Sequence, residues 1–218
     1  MKFYKAFLFT LLYIIFTELI WLWYFLLLGK NNIPIILKNY DFINSLICLT
    51  LFIVFFSRPN RKDVLSLKKT TLNFILLGVL LGIGFVFFQM PLNILYYFDT
   101  TSNIHTYEFT LERLYSLNSL SYIILMPIVE ELFFRNYLQR ALTEKYKPYL
   151  AIFFASLLFS CIHLQLGKSL YDISFLNLHD AYITFFGGFI SGVLLYKSKS
   201  IVPSILFHIF WNLTINVV

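Results

Sequence analysis

The sequence predicts an all-α fold, a polytopic membrane helix bundle of about seven transmembrane helices with the functional core in the last four. Three observations point there. Of 218 residues, 59% are hydrophobic and only 13% are charged, where a soluble domain carries about 25% charged residues; mean hydropathy is +0.76. Apolar runs recur at lengths near the roughly 20 residues a helix needs to cross hydrocarbon. The basic residues fall unevenly in the short polar connections between those runs, the pattern that sets orientation in a bilayer.

The first span is expected at 6–28. It opens on "MKFYKAFLFTLLYIIF", is broken only by Glu18 and reaches Gly29. No small-residue cleavage site follows, so a retained span is expected rather than a signal peptide, and no lipidation motif is visible. The second span, 42–57, is short. The third, 71–97, is long and carries Pro91, which is expected to end or kink it. The fourth, 115–140, contains "MPIVEELFFRN" and emerges through "RNYLQRALTEKYK". The fifth and seventh are expected at 149–166 and 201–217, and the sixth, again short, at 181–196. In the sixth, "FFGGFISG" sets Gly188 and Gly192 four apart, the small-xxx-small spacing of closely packed helices. The chain divides into N-terminal transmembrane helices over 1–110 and a core over 111–218.

Charge orients the bundle. The segments 1–5, 58–70, 140–147 and 197–200 hold twelve of the 17 Lys and Arg residues, against four (Lys30, Lys38, Arg113, Lys168) in the opposite connections. The N-terminus is therefore expected on the cytoplasmic side of a cell membrane, with the chain crossing many times. The acids of the other side cluster between Asp99 and Glu112. With no extended basic tract, the net charge of +6 reports orientation; the expected surroundings are a lipid bilayer and no nucleic acid. Cys48 and Cys161 both fall in apolar spans and suggest no disulfide framework. The Lys, Asn, Ile and Phe richness resembles that of a low-GC Gram-positive bacterium.

Ionisable groups at bilayer depth mark function by default. Here they concentrate: Glu130, Glu131 and Arg135 in the fourth span, His163 in the fifth, His208 and Asn212 in the seventh. The first three spans offer only scattered Glu18, Asn73, Gln89 and Asn93. Residues four apart share a helix face, while adjacent residues point about 100° apart. Glu131 and Arg135 can therefore pair, which leaves Glu130 facing elsewhere, towards a polar cavity. His208 and Asn212 share a face by the same spacing, as do Phe159 and His163. At about 1.5 Å per residue, Glu130 lies roughly 15–20 Å deep, His163 roughly 22 Å and His208 roughly 12 Å, so tilt can bring them into one cavity. Each group alone is more often interhelical glue; together, and almost nowhere else in the membrane, they read as a site.

The chain lacks HExxH and a GxSxG elbow, and no serine pairs visibly with either histidine. A carboxylate, two imidazoles and an amide remain. Such a set can activate water and stabilise an oxyanion, which fits hydrolysis of a carbonyl compound such as a peptide bond. A haem or quinone protein with His163 and His208 as axial ligands suits the adjacent carboxylates poorly.

The residues resemble a known family. "EELFFR", "FSCIH" and "HIFWN" are similar to the EExxxR, FxxxH and HxxxN motifs of the CPBP family, the CAAX prenyl proteases and the bacteriocin-processing or self-immunity (Abi) membrane proteins. The motifs stand in the family's order over about 115–218, so 111–218 reads as a CPBP/Abi-like intramembrane protease core. The resemblance implies an intramembrane endopeptidase acting on a membrane-associated protein or peptide. In it Glu130 activates water with help from His163, His208 and Asn212 form the oxyanion site, and Glu131 and Arg135 support the geometry. The family often has glycine where this chain has Asn136. Glu130, His163 and His208 could ligate zinc with an open fourth position; a metal-free mechanism is preferred, because Asn is a poor zinc ligand. The alternative is a non-catalytic binding, immunity or regulatory protein on the same fold.

Overall fold

The structure, a computed structural model, describes residues 1–28, 39–56, 70–98, 114–166, 173 and 176–218. The basic positions Lys30, Lys38, Arg58, Arg61, Lys62, Lys68, Lys69, Arg113 and Lys168 lie outside them, as does the acidic stretch from Asp99 to Glu112.

Every expected span is a helix: α1 Phe3–Leu28, α2 Tyr40–Phe56, α3 Leu72–Tyr97, α4 Leu117–Thr143, α5 Pro148–Ile162, α6 Leu178–Ser198 and α7 Val202–Val217. No strand occurs among the described residues. In α1, α3, α4 and α6 the apolar stretch is long enough to cross a membrane, and α2, α5 and α7 are shorter apolar helices. The chain is a polytopic membrane helix bundle. Its lipid-facing surface is visible on α1, where Phe7, Leu8, Leu11, Leu12, Ile15 and Leu19 are exposed.

Three expectations about the spans need correction. The sixth is not short: Asn177 caps α6, its side chain accepting from the Asp180 N–H, and the helix runs 21 residues to a left-handed C-cap at Lys199. The fifth is shorter than expected, 15 residues. His163 is its C-cap, at φ −89°, ψ −2°, and Gln165 then turns left-handed at φ 54°. The Asn177 N–H then returns to the Leu164 carbonyl at 3.2 Å. Nor does Pro91 end α3, which continues to Tyr97. Leu92 buries in a cluster with Phe85, Val86, Ile183, Phe207 and Trp211, and tertiary packing of this kind outweighs local propensity.

Two small-residue faces bring the helices together. A Cβ on Gly78 would stand 2.5 Å from the Pro203 carbonyl oxygen, and one on Gly82 2.4 Å from that of Phe207. Only glycine lets α3 lie so close on α7. That GVLLG spacing was legible in the sequence beside the Gly188–Gly192 pair. On α6, a Cβ at Gly188 would meet Arg135 Nη2 at 2.7 Å, and one at Gly192 would meet Gln139 Oε1 at 2.7 Å. The packing expected of Gly188 and Gly192 is thus packing against the charged stretch of α4.

The chain ends of these helices sort as the charges do. The Phe3 N–H donates to Tyr146 Oη at 3.2 Å, and Lys199 shares the rim of a cavity of about 270 Å³ with Arg140 and Pro148. The segments 1–5, 140–147 and 197–200 therefore gather at one end of the bundle. At the other, His179 Nε2 lies 2.8 Å from Asn93 Oδ1, joining the start of α6 to the end of α3.

Candidate active site

The site is built on α4, which is not the uniform α-helix the spacing argument assumed. It is α-helical over Leu117–Leu120, π-helical over Ser121–Leu125, α-helical over Met126–Glu130 and π-helical again over Glu131–Gln139. Wide i→i+5 turns recur at functional sites. Pro127 sits where the first wide turn ends, and a residue without an N–H breaks the ordinary i→i−4 ladder there. Glu130 is the last residue before the second wide turn and Glu131 the first within it, so the acidic pair straddles a change of register.

Glu131 is the hub. Its side chain is 2% exposed and pairs with Arg135 Nε at 3.6 Å, as the spacing predicted. It does more than that pairing. Ser191 Oγ on α6 donates to Glu131 Oε2 at 2.5 Å, and His208 Nδ1 on α7 lies 3.3 Å from Oε1. A carboxylate only accepts, so Nδ1–H is the donor in that contact. Ser204 Oγ in turn donates to the Ser191 carbonyl at 2.8 Å. Arg135 is fully buried and lies over the Phe159 ring, 4.9 Å from its centroid.

Glu130 faces the cavity and meets His208 there. Its Oε2 lies 3.8 Å from His208 Nε2, so the imidazole is held between the two carboxylates. Each ring nitrogen faces one acid, and Trp211 stacks on the ring at 5.5 Å. The Phe159 ring gathers the histidines: it meets His163 at 4.8 Å and His208 at 5.7 Å, centroid to centroid.

A cavity of about 550 Å³ is lined by Glu130, His163, His208 and Asn212, with Asp41, Gln89, Ser121, Tyr122, His179, Asp180 and Trp211 around them. Glu131 and Arg135 are not on its wall; they lie behind it. Asn212 is committed to a partner: its Nδ2 donates to the Tyr122 carbonyl at 2.9 Å. Asn136, the departure from the usual glycine, is buried.

Among the described residues no three His, Cys, Asp or Glu side chains are placed to hold one metal ion. His208 turns Nδ1 to Glu131, and the His163 ring meets that of Phe159 edge to face.

Of the residues anticipated from sequence, α4, α5 and α7 bring Glu130, His163, His208 and Asn212 to one cavity, and place Glu131 and Arg135 in support. Missing from that reading are Ser191, Tyr122 through its backbone carbonyl, and His179 at the mouth. Ser191 had a signal: it lies between Gly188 and Gly192 on a close-packed face, where a hydroxyl at membrane depth bonds across helices.

Neither the curated proteins nor the solved structures contain a match to the chain. Residues 113–214 match the family described as type II CAAX prenyl endopeptidase Rce1-like. That stretch holds all six polar residues of the three motifs and the whole of α5 and α6. Over residues 113–214, just under half of the chain, the protein is similar to the Rce1-like type II CAAX prenyl endopeptidase family.

Proposed function

We propose that the chain hydrolyses a peptide bond of a membrane-associated peptide, such as a bacteriocin or pheromone precursor, with water activated at Glu130. The observation that carries this is His208 fixed between two carboxylates, one on the cavity wall and one behind it. Glu130 is the general base. It takes a proton from water while the oxygen adds to the scissile carbonyl carbon. Held between the two carboxylates as an imidazolium, with Nδ1–H on Glu131, His208 aims its second N–H, at Nε2, into the cavity and donates it to the oxyanion as it forms. Glu130 then returns its proton to the departing amine, and the C–N bond breaks. His163, across the Phe159 ring from His208, helps bind the water. Asn212, one turn along α7, is the second donor to the oxyanion, its amide also held by the Tyr122 carbonyl. The mechanism uses only groups of this chain, with no metal. This division, one carboxylate for chemistry and one for orientation, follows the logic by which an acid behind a histidine fixes the orientation of its ring.

The test compares membrane-peptide profiles of cells carrying wild-type protein with cells carrying Glu130→Ala at equal expression. Peptides produced by the wild type should vanish in the variant, and purified wild type should cut their precursor. Cleavage undiminished in Glu130→Ala would overturn the reading. Protection or signalling that persists in Glu130→Ala would favour a binding or immunity role instead.

A further inference from the structure

The contact between Asn212 and the Tyr122 carbonyl has a cause five residues along α4. In the first wide turn the Met126 N–H bonds to the Ser121 carbonyl, five residues back. The next bond in that register would run from the N–H of residue 127 to the carbonyl of Tyr122. Residue 127 is proline and has no N–H to give. A backbone carbonyl left bare inside a membrane protein is costly and is regularly satisfied by another group. Asn212 Nδ2 supplies the bond at 2.9 Å from 90 residues away in the chain, and Asn212 itself is only 6% exposed.

We infer that Asn212 replaces the backbone donor that Pro127 lacks, and so clamps α4 in the register that presents Glu130 to the cavity. Pro127 and Asn212 are a matched pair of positioning residues. The geometry explains why the clamp bears on chemistry. Glu130 lies three residues beyond Pro127 and closes the short α-helical stretch Met126–Glu130. If the wide turn before Pro127 tightened, that stretch would rotate, carrying Glu130 off the cavity and Glu131 off His208. The clamp also ties α4 to α7, the helix that carries His208 one turn before Asn212. A single amide thereby sets the distance between base and imidazole. This deepens the peptidase reading and rests on it for its catalytic consequence, but the clamp itself is a structural claim that stands without it.

The pairing makes an unusual demand: removing the proline should make the asparagine dispensable to the register of α4. The full chain is purified in detergent as wild type, Pro127→Ala, Asn212→Ala and the double variant, each read for thermal midpoint and for kcat on a precursor peptide. Asn212→Ala alone should lower kcat by about tenfold, the consequence of stranding one buried acceptor, with KM nearly unchanged, and should lower the midpoint. In the Pro127→Ala background, where an N–H at residue 127 can reach Tyr122, the same substitution should lower the midpoint little and kcat by less than in the wild-type background, the remaining loss being that of the oxyanion donor. Asn212→Asp keeps the side-chain shape without the donor and should follow the same pattern. Equal losses in both backgrounds, or a double variant less stable than Asn212→Ala, would overturn the inference. Recovery of the midpoint with no part of the kcat loss recovered would overturn the claim that the clamp places Glu130. If wild type cuts no peptide, the peptidase reading fails, and the midpoints alone still decide whether Asn212 serves the carbonyl that Pro127 frees.

Discussion

Glu131 is best probed by removing its charge and nothing else. Glu131→Gln keeps the size of the side chain and an acceptor for Ser191, but strips the counter-charge from Arg135. The guanidinium is fully buried, its ion pair with Glu131 spans 3.6 Å, and its other neighbour is the Phe159 face. Breaking a buried pair from one side costs about 3–5 kcal/mol, because the remaining charge is stranded out of water. A cation over an aromatic face is worth about 0.5–2 kcal/mol and is present before and after the change, so it offsets little. For a chain of this size 1 kcal/mol moves the midpoint by about 2–4 °C, which puts the expected fall near ~10 °C. The assay is thermal unfolding of purified protein in one detergent, with cleavage followed alongside. The double variant Glu131→Gln/Arg135→Met removes the stranded charge as well and should recover most of the midpoint. It should not recover activity, because His208 still lacks the carboxylate that orients Nδ1. A single variant within about 1 kcal/mol of wild type, or a double variant no more stable than the single, would refute the argument that burial makes this pair all-or-none.

Other outcomes follow from the same packing. Gly188→Ala places a methyl 2.7 Å from Arg135 Nη2 and 3.0 Å from Phe159 Cδ1; overpacking of this kind costs about 1–3 kcal/mol and should lower both midpoint and cleavage. Gly82→Ala drives a Cβ to 2.4 Å from the Phe207 carbonyl oxygen, which cannot rotate aside, so α3 and α7 should separate and the midpoint should drop. Gly84→Ala is the control: nothing lies within 4 Å of its Cβ, and helix propensity predicts a gain of up to about 1 kcal/mol. Ser191→Ala removes a hydroxyl bonded to a carboxylate, a bond worth about 1.5–3 kcal/mol. Its activity loss should appear in kcat with KM nearly constant, and Ser191→Thr, which keeps the hydroxyl, should lose less; equal losses in both variants would deny Ser191 its hold on Glu131.

Much of the site was legible because helical spacing carries geometric information. The Glu131–Arg135 contact, the shared face of His208 and Asn212, and the tight packing at Gly188 and Gly192 all follow from residues three to four apart. What was misjudged lies where the ladder departs from α. The assumption of one regular helix through α4 hid the change of register between Glu130 and Glu131. It also hid the carbonyl that Pro127 releases, and so Asn212 was read only as a cavity group. The short α5 was overestimated because "SCIHLQLG" is apolar enough to continue a helix. Only the structure places its end, with His163 as the C-cap and Gln165 left-handed after it.

The sequence by itself determined that this chain is a membrane helix bundle, where its helices fall, and which polar residues the membrane would not hold without a reason. Those properties depend on hydropathy and local periodicity, which are written along the chain. Only the tertiary structure decided which partner each of those residues takes. Glu131 serves Arg135, Ser191 and His208 at once, Glu130 shares the imidazole from the cavity side, and Asn212 answers a proline on another helix. Those choices depend on how α4, α6 and α7 approach and rotate against one another. Buried polar groups must be satisfied by whatever the packing brings within about 3 Å, and no one-dimensional pattern contains that distance.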